Sequence, residues 1–278
     1  MHITVNGRKI YYEIEGNGVP CIILNGLNPF HKRTFSTNIR SYLQLIFVDL
    51  GFCGYSELGK VEDMTLESSI NDLDSFVHRL NLKTFALFGH SAMVLLGLEY
   101  ARRFPDKVSH LILIGLGPKW WGLEDYTKKQ QDYWDENAST ERKAIYDSNF
   151  ETLSNIKFNT GEDFVKWYVA IGSKFWYDPQ FDSSPLYENH KLSMEYVNYF
   201  FNEVLKNYDA TPFLSKISCP VFIAMGKYDF NNPPTLWDGE KEKFASSKYY
   251  LFEKSGHTPQ YEEQALFDRM LIDWILGQ

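Results

Sequence analysis

The chain is predicted to fold as an α/β protein: a mostly parallel, doubly wound sheet with an N-terminal hairpin and a helical insertion after the sixth strand. Three observations carry this. Short unbroken apolar runs recur at 21–24, 45–48, 85–88, 111–114, 221–225 and 249–252. Runs without alternation belong to strands buried on both faces, as in a parallel sheet covered by helices. Segments of helical period lie between several of them. Finally, no strand-like run occurs between 114 and 221.

The elements follow in order. Ile3 and Val5 alternate before Asn6-Gly7, and Ile10, Tyr12 and Ile14 alternate after it. Asn-Gly is the strongest two-residue hairpin signal because both residues tolerate positive φ. Ile70, Leu73, Phe76, Val77 and Leu80 share one helical face, with Thr65 as N-cap. A second helix follows 85–88 and ends near Arg102-Arg103, where cations suit the helix dipole and Pro105 stops the helix. Phe267, Met270, Leu271, Trp274 and Ile275 form the stripe of a last helix. Residues 118–208 hold 21 of the 46 aromatic residues. These patterns predict a core formed by 1–117 and 211–278, interrupted by an aromatic-rich helical lid at 118–210. The charged stretch 124–143 reads as the solvated face of lid helices.

Bulk composition limits the function. A length of 278 residues with 44% hydrophobic residues buries a large core. A net charge of −8 without a basic stripe argues against nucleic acid. The three cysteines, Cys21, Cys53 and Cys219, have no C-x-x-C spacing, which fits a reducing compartment. The first residues show no basic leader before an apolar stretch, and no run reaches the ~20 residues of a membrane span. A cytoplasmic enzyme acting on a small molecule is expected, with oligomeric state left open. No histidine or acidic cluster has metal spacing such as H-E-x-x-H, and Gly16-Asn17-Gly18 is a turn without the G-x-G-x-x-G continuation. Neither metal nor cofactor is expected.

The chemistry lies at three strand ends. Gly89-His90-Ser91-Ala92-Met93 sits between an apolar run and a helix, the setting of a nucleophile elbow, except that Met93 occupies the second glycine of G-x-S-x-G. A serine hydroxyl needs a base, and the base needs an orienting group. Asp229 follows the run 221–225, and His257 follows 249–252 within Ser255-Gly256-His257-Thr258-Pro259. In a parallel sheet these ends share one edge, so the three side chains can meet. The bland readings are an N-cap serine, a capping aspartate and a loop histidine. The three together outweigh them.

These residues resemble the α/β-hydrolase fold family of serine hydrolases, in the order Ser, Asp, His. Asn25-Gly26-Leu27 resembles that family's oxyanion loop. Asp49-Leu50-Gly51-Phe52-Cys53-Gly54-Tyr55-Ser56 resembles its D-x-x-G-x-G-x-S loop, with Phe52 replacing a glycine. The tail 255–263 and Phe175-Trp176-Tyr177-Asp178-Pro179 are similar to the prolyl-iminopeptidase-like branch. The chain departs from that branch in lacking its Gly-Gly-Ser-Trp-Gly elbow and its W-x-x-W-E lid motif, with Glu188 and Glu195 the substitutes nearest to hand. The resemblance implies catalysis by Ser91, Asp229 and His257, with the backbone N–H groups of Leu27 and Ala92 as oxyanion donors. The expected reaction is hydrolysis of a small ester or amide, with an N-terminal-proline peptide among the candidates. The rival readings are a ligand receptor, a lyase or a cofactor-free oxygenase on the same fold. Trp120, Trp121, Trp167, Trp176 and Tyr177 are expected to line the substrate site.

Overall fold

The computed structural model describes residues 1–25, 29–50, 54–154 and 156–277. Eight strands, β1 (His2–Val5), β2 (Arg8–Glu15), β3 (Val19–Leu24), β4 (Leu43–Val48), β5 (Phe85–His90), β6 (Val108–Ile114), β7 (Val221–Gly226) and β8 (Ser247–Phe252), form one sheet. Their order is β1-β2-β4-β3-β5-β6-β7-β8. The β1–β2 hairpin turns on Asn6 and Gly7, at φ 47° and 82°, which pairs Val5 with Arg8. β2 runs antiparallel to β4, and every later pairing is parallel. β5 and β7 are buried at every residue, as their unbroken apolar sequences require.

The helices are α1 (Pro29–Thr34), α2 (Leu66–Arg79), α3 (Met93–Arg103), α4 (Glu124–Asn137), α5 (Thr140–Leu153), α6 (Gly161–Ala170), α7 (Met194–Tyr199), α8 (Pro259–Glu262) and α9 (Gln264–Leu276). Thr65 caps α2 through a reciprocal pair with Ser68. Ile70, Leu73, Phe76 and Val77 of α2 join Val94, Leu95 and Leu98 of α3 in the core on one sheet face. Phe267, Leu271 and Ile275 of α9 cover the other face. Arg102 and Arg103 close α3 by pairing with Glu99.

The chain leaves the sheet after β6 and returns at β7. Between them lie α4 to α7, and α7 continues into a π turn at Phe200–Val204. The two arms meet at an antiparallel bridge between Lys119 and Asp209, where Trp120 N–H donates to Tyr208 and Ala210 N–H to Pro118. This segment has its own cluster of Leu153, Ile171, Phe175, Trp176, Leu186 and Tyr187, joined by Phe30 of α1.

Candidate active site

Parallel pairing puts the ends of β5, β6, β7 and β8 on one edge of the sheet. Ser91 follows β5 directly, with φ +55° and its N–H bonded to the carbonyl of Ile114 at 2.9 Å. A serine held in the left-handed region is strained, and surrounding structure must enforce it. Gly89 provides the room: a Cβ there would stand 2.5 Å from the Met93 carbonyl and 2.9 Å from Val94 N. The turn therefore forms without glycine at 93. Met93 instead begins α3 buried, packs into the core and lines the cavity in front of Ser91.

Asp229 and His257 meet. His257 Nδ1 lies 2.6 Å from Asp229 Oδ2, with both side chains buried. The Asn232 N–H donates to Asp229 Oδ1 at 2.8 Å, and the Asn232 carboxamide stands 3.3 Å from the same imidazole nitrogen. Burial disfavours charge on both partners: it lowers the His257 pKa and raises that of Asp229, the latter opposed by donors from Asn231 and Asn232. The imidazole is therefore neutral at pH 7. Its Nε2 is buried and takes no hydrogen bond among the described residues, the Ser91 hydroxyl included. Gly115, at φ +69°, backs the ring; a Cβ there would stand 2.9 Å from Nδ1.

Several groups that position His257 are not apparent in the sequence. His90, the variable residue of the elbow, places Nε2 2.9 Å from the His257 carbonyl, and the two rings lie 4.7 Å apart. The Phe175 carbonyl takes the His257 N–H at 2.6 Å, and the Lys174 carbonyl takes the N–H of Phe230, next to Asp229, at 2.9 Å. Glu262 accepts N–H bonds from Gly256 (2.9 Å) and Thr258 (3.2 Å), the residues flanking His257, and from Tyr177 (2.7 Å). Burial raises the Glu262 pKa to about 7, against the pull of these three donors. Glu262→Gln replaces one acceptor oxygen by a donor facing a backbone N–H. It is expected to cost about 2 kcal/mol in urea unfolding, since a buried donor loses its acceptor. An unchanged urea midpoint would show that the carboxylate does not hold the loop.

A cavity of about 560 Å³ opens in front of Ser91, Ala92 and Met93. Trp120, Trp121 and Trp167 line it. Trp176 and Tyr177 do not, which corrects the expectation. At the end of the 3-10 turn 172–174, Phe175 faces the cavity and the His257 ring at 5.1 Å, whereas Trp176 turns in among Phe181 and Tyr261 and Tyr177 turns out to Tyr228. Glu188 and Glu195 are both exposed outside the cavity wall, Glu188 within 3.6 Å of Arg33. His31, without a role from sequence, is buried in the wall, and neither ring nitrogen has a hydrogen-bond partner among the described residues. Ala92 stands at the start of α3, where a helix leaves its first N–H groups without intrahelical acceptors. Leu27, Gly26 and residues 51–53 of the second loop lie outside the described residues. Among the described residues, no group of three or more histidines, cysteines or carboxylates is arranged to hold a metal. No described helix is long and apolar enough to cross a membrane.

Comparison with known proteins bears on the fold. The family model for the alpha/beta hydrolase fold matches residues 23–264. The AB hydrolase superfamily protein YclE of Bacillus subtilis (strain 168) is 28% identical over 273 residues, covering 97% of this chain and 96% of that protein. A proline iminopeptidase of Clostridioides difficile (strain 630) is 26% identical over 296 residues, covering 99% and 97%. Among solved structures, an esterase from Exiguobacterium antarcticum superposes with a TM-score of 0.73 at 21% identity, covering 99% of this chain and 98% of that one. With its eight-stranded sheet and the family match over most of its length, the chain belongs to the alpha/beta hydrolase fold family.

Proposed function

We propose that the chain is a serine hydrolase that cleaves a small ester through an acyl-enzyme, with residues 118–210 as a lid over the reaction site. One observation carries the proposal: the buried 2.6 Å contact between His257 and Asp229 on the strand edge that also bears the strained Ser91. Ser91 Oγ attacks the substrate carbonyl carbon as its proton passes to His257 Nε2. Asp229 holds Nδ1–H and so keeps Nε2 free to accept. The resulting oxyanion takes hydrogen bonds from the backbone N–H groups of Ala92 and Leu27. The carbon–oxygen bond to the leaving group then breaks, and Nε2 returns the proton to it. Water attacks the acyl carbon and gives a proton to Nε2; the bond between that carbon and Ser91 Oγ then breaks, the acid leaves, and Nε2 returns the proton to Oγ. In the resting state the serine and Nε2 are not bonded; such contacts tighten when substrate arrives.

The cavity favours an ester over a peptide with a free N-terminal amine. A free amine calls for a carboxylate, and no Asp or Glu is among the described residues lining the cavity. The test is labelling with a fluorophosphonate followed by peptide mass spectrometry, alongside turnover of an ester and N-terminal-proline amide panel. Modification at Ser91 with ester turnover is expected. Modification elsewhere, or labelling without turnover of any ester, lactone or amide, defeats the proposal and favours the receptor or lyase reading.

The base also sets the pH profile. Protonating His257 removes the acceptor, so kcat/KM should fall on the acid side. Burial lowers this pKa below the ordinary 6.5, so the midpoint of the acid limb should lie below pH 6.5. An acid limb centred above that value in steady-state rates would contradict a buried imidazole base.

A further inference from the structure

We propose that the substrate carries a carboxylate on an apolar body and that Lys174 holds it. Among the described residues lining the cavity, Lys174 alone carries a formal charge at neutral pH. Its ammonium makes no hydrogen bond and no ion pair among the described residues. It rests instead on two aromatic faces, 4.3 Å from the Tyr146 ring centre and 4.8 Å from that of Trp134. Aromatic faces hold a cation in place without neutralising it. Asp135 and Asp147 act on it only from a distance, opposing the lowering of its pKa by burial.

The surroundings add positive charge. Arg142 is 4% exposed, yet its guanidinium donates to the carbonyls of Ser173, Trp176 and Tyr177 and to no carboxylate. Arg142 thus brings a second cation to the stretch that carries Lys174, with Asp178, Glu262 and Glu141 acting on its guanidinium only from a distance. Partly buried charges are costly unless something compensates them. An anionic ligand entering the cavity would supply that compensation at Lys174.

The position is also rigid. The carbonyls of Lys174 and Phe175 take the N–H groups of Phe230 and His257, one bond to each loop of the Asp229–His257 pair. The ammonium is therefore carried by a segment tied to the reaction centre and can fix the distance between the scissile carbonyl and a distal anion. Trp120, Trp167, Tyr168 and Phe175 supply apolar wall for the intervening body. Lys174 is half-buried and lines a cavity whose wall is largely aromatic.

The carboxylate subsite rests on the serine-hydrolase reading for its kinetic test, so a second measurement is independent of turnover. In the first, mono(4-nitrophenyl) glutarate is compared with its neutral methyl ester. The wild type should prefer the acid in kcat/KM by about tenfold or more, as a charge-assisted hydrogen bond allows. Lys174→Met should erase the preference and Lys174→Arg retain most of it. Equal use of both esters by the wild type, or a preference retained by Lys174→Met, overturns the proposal. In the second, 5-phenylpentanoate and 5-phenylpentanamide are titrated against tryptophan fluorescence. Carboxylate binding about tenfold tighter than the amide in the wild type, lost in Lys174→Met, supports the subsite whether or not Ser91 is a nucleophile. Equal binding of acid and amide by the wild type defeats it without recourse to any variant.

Discussion

Ser91→Ala should lower kcat/KM toward a 4-nitrophenyl ester by about four to six orders of magnitude, the loss found when a serine nucleophile is removed. The substitution removes one oxygen and little else. Ser91 is tethered through its backbone, by its N–H to Ile114, and its φ of +55° is enforced by the strand–helix turn. Alanine suffers the same strain as serine there, so thermal unfolding should move by no more than about 0.5 kcal/mol. The large kinetic effect and the small stability effect are the paired result. A variant retaining more than a tenth of wild-type turnover would exclude Ser91 as the attacking group. A variant that loses activity together with its cooperative melting transition would show a structural role instead.

Met93 bears on the same experiment. The second glycine of the elbow pattern is absent, and the turn still forms because Gly89 lies on the other side of the close approach. The cost of a side chain at 93 is met by placing it between core and cavity wall, where it narrows the space in front of Ser91. The missing glycine therefore alters the cavity wall and leaves the strained geometry of the serine in place.

How much of this was legible beforehand depended on the kind of signal. The sheet could be read because unbroken apolar runs have few other uses, and the edge shared by Ser91, Asp229 and His257 follows from parallel pairing alone. Thr65 could be read because a capping serine or threonine is local. The aromatic wall was half legible. Trp120, Trp121 and Trp167 face the cavity, but 172–187 contains two short 3-10 turns and no sustained period, so nothing in its spacing says that Phe175 turns in while Trp176 and Tyr177 turn away. Glu262, His90 and Lys174 were illegible for another reason. Each acts through a partner far along the chain: Glu262 through Tyr177, His90 through His257, and Lys174 through Phe230. Contacts between residues so far apart in the chain leave no periodic trace.

Asp229→Asn should lower kcat by about ten-thousandfold while leaving the fold intact, and the reason is the direction of one proton. Asp229 is fully buried; Oδ1 accepts the Asn232 N–H and Oδ2 faces His257 Nδ1. An asparagine keeps its carbonyl on the Asn232 N–H, because the alternative sets its NH2 against a donor. The NH2 then points at Nδ1 and makes that nitrogen an acceptor. The Asn232 carboxamide, 3.3 Å from Nδ1, favours the same tautomer. With the proton moved to Nε2, the ring can no longer take one from Ser91. The shape of the pair survives and its acid–base sense is reversed. Asp229→Asn should therefore melt close to wild type, hydrolyse esters hardly at all, and label slowly with a fluorophosphonate. A loss under about tenfold would mean that Asp229 does not set the tautomer of His257.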